Sequence, residues 1–213
     1  TDPGIYCGRG MVLILCVDDL LACGPDPKAI EKVFEDLREK GFALSPQEEV
    51  ENGFHFLGIE LTMKDGKIKF TQHGLIAKVL DTMGMADCNA KTTPSGSMPL
   101  PTDAEGAQFR EEWQYSSVIG MMMYLASNAH PEIQFAVHQC ARFNANPMLC
   151  HEKAVKYIAR YLLTSMDTGI HYKPDATKGL ECYVDADFAG GWSSGDHSNP
   201  ECVLSRTGFV NMY

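Results

Sequence analysis

The 213 residues contain eight cysteines but no C-x-x-C pair, no apolar run near the length of a membrane-spanning helix, and fewer basic than acidic side chains. Each absence excludes something. Cys7, Cys16, Cys23, Cys88, Cys140, Cys150, Cys182 and Cys202 are scattered and lack zinc-site spacing; lying mostly beside apolar residues, they are expected to be buried, reduced thiols. A bilayer span needs roughly 20 apolar residues, and no basic region leads into an apolar stretch and cleavage site at the N-terminus. A soluble, intracellular protein without a membrane partner is therefore expected. With 18 Lys and Arg against 28 Asp and Glu, a net charge of −10, the surface as a whole cannot wrap nucleic acid, because that affinity comes from neutralising phosphates. A local basic groove is still allowed. What is present is 45% hydrophobic residues, enough for a substantial core in one or two domains.

The apolar periodicity changes along the chain. Gly4–Cys7, Met11–Val17 and Leu20–Cys23 have strand character, and Val12-Leu13-Ile14-Leu15 is a continuous apolar run of strand length. Asp26 as N-cap, Pro27 in the first turn and Gly41 at the end delimit a helix whose Ile30, Val33, Phe34 and Leu37 share one face. A short strand is expected at Phe42–Leu44, then strands at Phe56–Met63 and Lys67–Phe70 around the turn signal Lys64-Asp65-Gly66. Helical patterns follow at Gly74–Met83, Glu111–Ser127, Pro131–Phe143 and His151–Leu163, with a linker at Asp87–Gly106 rich in Pro, Ser, Thr and Gly. Gly169–Tyr172, Leu180–Val184 and Thr207–Met212 return to strand character. Strands, helices and strands in series predict an α+β architecture.

Val12 to Gly24, VLILCVDDLLACG, places Asp18 and Asp19 at a hairpin turn between apolar strands. Adjacent aspartates have an ordinary explanation, since Asp suits turn geometry and bonds nearby amides. Two close negative charges among apolar residues would, however, repel and lose solvation. A hard divalent cation resolves that conflict, because Mg²⁺ takes carboxylate oxygens and completes its shell with water and substrate phosphates.

Cys16-Val17-Asp18-Asp19 resembles the Tyr-x-Asp-Asp box of reverse transcriptases, and the surrounding sequence is similar to the Ty1/copia class of retrotransposon polyproteins. The similarity runs in order through FLGIEL (56–61), FTQHGLIAKVLDTMGM (70–85), YSSVIGMMMYLASNAHPEIQFAVHQCARF (115–143), HEKAVKYIARYL (151–162), GIHY (169–172), YVDADFAGGW (183–192) and SRTGFV (205–210). The resemblance implies a partial palm over residues 1–70, with the Asp-Asp hairpin and a primer-grip-like hairpin at Phe56-Leu57-Gly58. A helical thumb and connection region at 71–165, with linker 87–106, and the first strands of a ribonuclease H-like sheet at 166–213 would follow. It implies two Mg²⁺ ions (or Mn²⁺) about 4 Å apart, one activating a primer 3′-hydroxyl and the other neutralising nucleotide phosphates. Asp18 would be the direct ligand and Asp19 the second or supporting carboxylate. Cys16 stands where the family has Tyr, beside the primer terminus. The implied partners are an RNA/DNA template-primer duplex, dNTPs and the remainder of the polyprotein. The implied location is a cytoplasmic particle, with import into the nucleus. The family's other palm aspartate lies upstream of the box, so the isolated chain is expected not to polymerise DNA; a non-catalytic remnant that binds nucleic acid or protein is the alternative.

Asp185-Ala186-Asp187 follows an apolar strand, which on residue type alone suits a solvated loop. Through the resemblance, Asp185 matches the first Mg²⁺-binding aspartate of ribonuclease H, and Asp187 a neighbour. A single metal-dependent phosphohydrolase site built from both acidic pairs is less natural, given the long helical section between them. Lys153, Lys156 and Arg160 share one helix face opposite Ala154, Val155, Ile158, Tyr161 and Leu162. That pattern suits a solvated face, or contact with a template/primer backbone. His130, His138, His151, His171 and His197 show no ligand spacing, and Met121, Met122 and Met123 are expected to fill core.

Overall fold

The computed structural model describes residues 3–8, 10–48, 53–96, 99–103, 105–110, 112–173, 175, 177, 179–188, 190, 205 and 207–212. These form mixed α/β structure, with several sheets and five α-helices among the described residues, in two units, Thr1–Met63 and Lys64–Tyr213.

The first unit opens with an antiparallel sheet, β1 (Ile5–Gly8), β2 (Met11–Cys16) and β3 (Asp19–Cys23), in chain order. Helix α1 (Pro27–Glu39) follows as its sequence dictates: the Asp26 carboxylate accepts from the Lys28 N–H at 3.0 Å, and Pro27 sits where no intrahelical donor is needed. Ile30, Val33, Phe34 and Leu37 are half-buried. Its exit is a Schellman motif: Gly41, at φ 90°, donates to the Arg38 carbonyl, and Phe42 donates to the Leu37 carbonyl. The strand expected at Phe42–Leu44 is therefore absent. Phe42 ends the helix, its N–H is already taken, and its side chain is 59% exposed. The strand expected over Phe56–Met63 is also broken, into β4 (Phe54–Phe56) and β5 (Ile59–Lys64) around Leu57-Gly58. Strand β6 (Lys67–Thr71) comes after Asp65-Gly66, whose φ values of 52° and 69° are those of a type I′ turn.

The second unit holds the core. Helices α2 (His73–Thr82), α3 (Tyr115–Asn128), α4 (Gln134–Ala141) and α5 (Leu149–Thr164) bury Ile76, Val79, Ile119, Met122, Leu125, Val137, Ile158 and Leu162 against one another. The pattern expected from Glu111 becomes helical only at Tyr115. Trp113 precedes it, stacked on Tyr115 at 4.9–5.8 Å from its aromatic neighbours Phe109 and Tyr115. The stretch expected as one helix from Pro131 splits into a 3₁₀ turn, Pro131–Ile133, and α4. Of the methionine run, Met122 is buried, Met121 half-buried and Met123 exposed, as a helix face requires. Strand β7 (Ile170–Tyr172) pairs antiparallel with β6, and β8 (Glu181–Ala186) with β9 (Thr207–Met212).

The cysteines correct the expectation of burial. Cys7, Cys16, Cys23 and Cys182 are exposed, Cys88 and Cys150 half-buried, and only Cys140 of the described thiols is buried. Thin covering of the strands decides their exposure: every residue of β1, which holds Cys7, and of β8, which holds Cys182, is exposed, and Cys16 and Cys23 lie at exposed strand ends. Burial pushes the Cys140 thiol up to about 12. Cys202 and His197 lie outside the described residues.

Candidate active site

The Asp-Asp hairpin is built by β2 and β3, whose register runs from Val12↔Cys23 to Cys16↔Asp19. Val17 and Asp18 form the two-residue loop. Val17 has φ 53°, at the position where type II′ turns favour glycine, and is 88% exposed. A β-branched residue there stores strain of order 1–3 kcal/mol, as residues at functional turns often do. Cys16, Asp18 and Asp19 are also exposed. The apolar run thus supplies the strands, while both carboxylates stand in water at the tip. Burial cost is not what calls for a cation; adjacency of two hard oxygen donors on a fixed turn is what suits one.

The Phe56-Leu57-Gly58 motif is a second tight hairpin, closed by the Phe56↔Ile59 pair. Leu57 at φ 52° and Gly58 at φ 73° again put a bulky residue in left-handed backbone. Beside it, His55 and Glu60 approach to 3.9 Å across the strands. Elsewhere in this unit, an apolar cleft of about 230 Å³ is lined by Tyr6, Cys7, Gly8, Met11, Leu13 and Val33. It carries no carboxylate, imidazole or amine.

Asp185 lies inside β8, opposite Gly208, and is exposed along with the rest of that strand. It was expected just after the strand's end; the strand runs two residues longer. Among the described residues no group of three His, Cys, Asp or Glu side chains could hold a metal ion.

On α5 the three basic residues part company. Lys156 bonds the buried Glu152 carboxylate at 2.6 Å and lies 3.6 Å from Glu112. Arg160 donates to the Asn89 carbonyl, and Lys153 is exposed. Sequence reasoning also passed over two buried histidines. His151 Nδ1 accepts from the Met148 N–H at 2.9 Å, its Nε2 donates to the Pro101 carbonyl at 2.8 Å, and its ring stacks on Phe143 at 3.7 Å. Burial holds its pKa below the usual histidine value, against the Pro101 carbonyl and Asp103, which raise it. His130 Nδ1 bonds Glu132 at 2.9 Å, and Tyr161 donates to the same carboxylate oxygen at 3.2 Å. Burial raises the Glu132 pKa, but those hydrogen bonds outweigh it and bring the group below the ordinary carboxylate value. The signal for His151 was its place in the first turn of a helix that lacks a conventional capping residue.

Residues 1–97 match the family described as reverse transcriptase (RNA-dependent DNA polymerase). The Asp-Asp hairpin lies within the matched segment. Among relatives, the chain is 31% identical over 184 residues to the retrovirus-related Pol polyprotein from transposon RE1 of Arabidopsis thaliana, covering 86% of this chain and 12% of that protein. It is 32% identical to the corresponding polyprotein from transposon TNT 1-94 of Nicotiana tabacum, over 89% of this chain and 15% of that protein. It is 26% identical to a putative transposon Ty5-1 protein of Saccharomyces cerevisiae, over 80% of this chain and 54% of that protein. Residues 1–97 are thus similar to reverse transcriptases, and most of the chain is similar to one stretch of the Pol polyproteins of copia-type retrotransposons. The chain spans 12–15% of the length of the two plant polyproteins. No solved structure matches.

Proposed function

We propose that this chain carries part of the nucleotidyl-transfer site of a Ty1/copia-type reverse transcriptase, with Asp18 and Asp19 as its metal-binding carboxylates. The observation that supports this most is their presentation on an exposed, strained hairpin tip inside the segment that matches the family. Two solvent-facing carboxylates fit Mg²⁺ or Mn²⁺, which prefer oxygen ligands and leave positions for water and phosphate. When bound, the ions would activate a primer 3′-hydroxyl and neutralise nucleotide phosphates. Asp18 serves as the direct ligand and Asp19 supports it. Cys16 lies beside the primer end, and the Phe56-Leu57-Gly58 hairpin steadies it. Residues 1–70 act as partial palm and 71–165 as thumb and connection. Residues 166–213 form the start of a ribonuclease H-like sheet, in which Asp185 is a metal ligand. Lys153 contacts the RNA/DNA template-primer backbone, with Lys156 and Arg160 flanking it while also bound internally.

A third ligand has to join Asp18 and Asp19, and the described residues gather none. The 213-residue chain alone is therefore expected to be inactive in primer extension with Mg²⁺ and dNTPs. A longer stretch of the same polyprotein is expected to extend the primer, and Asp18→Asn there to lower the rate at least a hundredfold, since a lost metal ligand forfeits several kcal/mol. Asp185→Asn is expected to spare extension and remove hybrid cleavage. Extension unaffected by Asp18→Asn would refute the assignment. The missing third ligand equally favours the second possibility, a non-catalytic remnant that binds nucleic acid or protein; inactivity of the longer protein would select it.

A further inference from the structure

The pairing of β6 with β7 joins segments about a hundred residues apart and sets Lys69 directly opposite His171. Side chains alternate across a strand, so Lys67 shares the face of Lys69, and Lys173, immediately after β7, continues the face of His171. Ile68, Phe70, Ile170 and Tyr172 take the opposite face. One side of this ribbon thus gathers three lysines and a histidine beside the uncharged Thr71, on a chain of net charge −10. Lys67, His171 and Lys173 are exposed, and among the described residues no carboxylate pairs with them. Lys69 donates to the main-chain carbonyl of Asp167, which anchors its ammonium while leaving other N–H donors available. The Asp167 carboxylate is engaged by His73 at 2.9 Å.

The closeness of the strands is fixed by Gly169. A Cβ there would collide with the Phe70 carbonyl oxygen, so this position admits no side chain without moving the ribbon. Lysines two apart on a strand lie about 7 Å from each other, and the neighbouring strand is about 4.8 Å away. An extended polyanion supplies several charges at similar spacing, whereas a single small anion supplies one.

We infer that the Lys67/Lys69/His171/Lys173 face of the β6–β7 ribbon is a docking surface for the phosphate backbone of an RNA/DNA duplex; this rests on the reverse transcriptase function proposed above. It is separate from the α5 lysines and needs no metal. The surface contributes affinity without reading sequence, because phosphate contacts position rather than specify.

Fluorescence anisotropy of a labelled RNA/DNA hybrid with the whole chain, between about 50 and 200 mM salt, tests it. Each phosphate contact adds about 0.7–0.9 to the slope of log affinity against log salt. The Lys67→Gln/Lys173→Gln protein should therefore lose at least one unit of slope and bind severalfold more weakly at low salt, with its Tm unchanged. Lys28→Gln/Lys32→Gln, on α1, should match the wild type. Wild-type binding with an unchanged slope in the ribbon variant overturns the surface and leaves the polymerase function standing. A wild-type chain that binds no hybrid at low salt overturns both. Loss of polyglutamate binding in the ribbon variant, with hybrid binding intact, reassigns the face to an acidic protein and overturns it as well. A slope change together with failed primer extension by the longer protein removes the polymerase function and keeps the surface.

Discussion

His151 illustrates how a residue with no visible motif becomes indispensable once folded. Its two ring nitrogens have opposite duties, one accepting from Met148 and the other donating to Pro101, which requires the neutral imidazole. Protonation of Nδ1 would abolish the first bond. The folded-state pKa lies below the ordinary 6.5, so the unfolded chain binds the proton more readily. The stability due to His151 is thus fully present above about pH 6.5 and is lost as the pH falls from there through the folded value. Asp103 and Arg142 pull the ring in opposite directions, and Glu152 beside it is held by Lys156. Denaturant titrations between pH 7 and 5 are expected to show declining stability, and His151→Gln to flatten that decline by about 1 kcal/mol while lowering stability at pH 7. An unchanged pH dependence in the variant would deny His151 this part.

At the level of elements, local chemistry read well and long-range pairing did not. The start and stop of α1 were written in Asp26, Pro27 and Gly41, and Gly84 likewise ends α2, donating to Asp81 while Met85 donates to Leu80. The Asp-Asp turn was legible because two apolar strands flanked it. Phe42 and the Phe56–Met63 strand misled, since β propensity says nothing about whether a partner strand exists or whether Leu57 will accept a positive φ. Neither the β6–β7 pairing nor the basic face it creates was readable, because nothing local links Lys69 to His171. Gly169 is where that pairing is most exposed to test. Gly169→Ala is expected to destabilise the second unit by about 1–3 kcal/mol, the cost of forcing atoms into a filled space. A stability equal to wild type by urea denaturation would mean the ribbon accommodates the methyl group.

Across the whole molecule the buried apolar residues are unevenly shared. Met11 is the buried residue of the first unit among those described, whereas the second packs Ile76, Ile119, Met122, Leu125, Ile158 and Leu162 at essentially zero exposure. Local opening costs least where apolar burial is least. Hydrogen exchange is expected to be faster by orders of magnitude across Met11–Cys23 than across α3 and α5; equal protection would contradict the unequal cores. The distribution also explains the limits of legibility: composition promised a substantial core, and helix periodicity located it in the second unit, but the first unit's pattern could not show how thinly it would be covered.

Val17, held at φ 53°, has no nearby relaxed backbone to slip into while Cys16 and Asp19 stay paired. The backbone of Asp18 and Asp19 is therefore held in one turn conformation as long as that pairing lasts. Whatever approaches the hairpin meets two carboxylates whose backbone origin is set by the turn while their exposed side chains can still rotate to fit it.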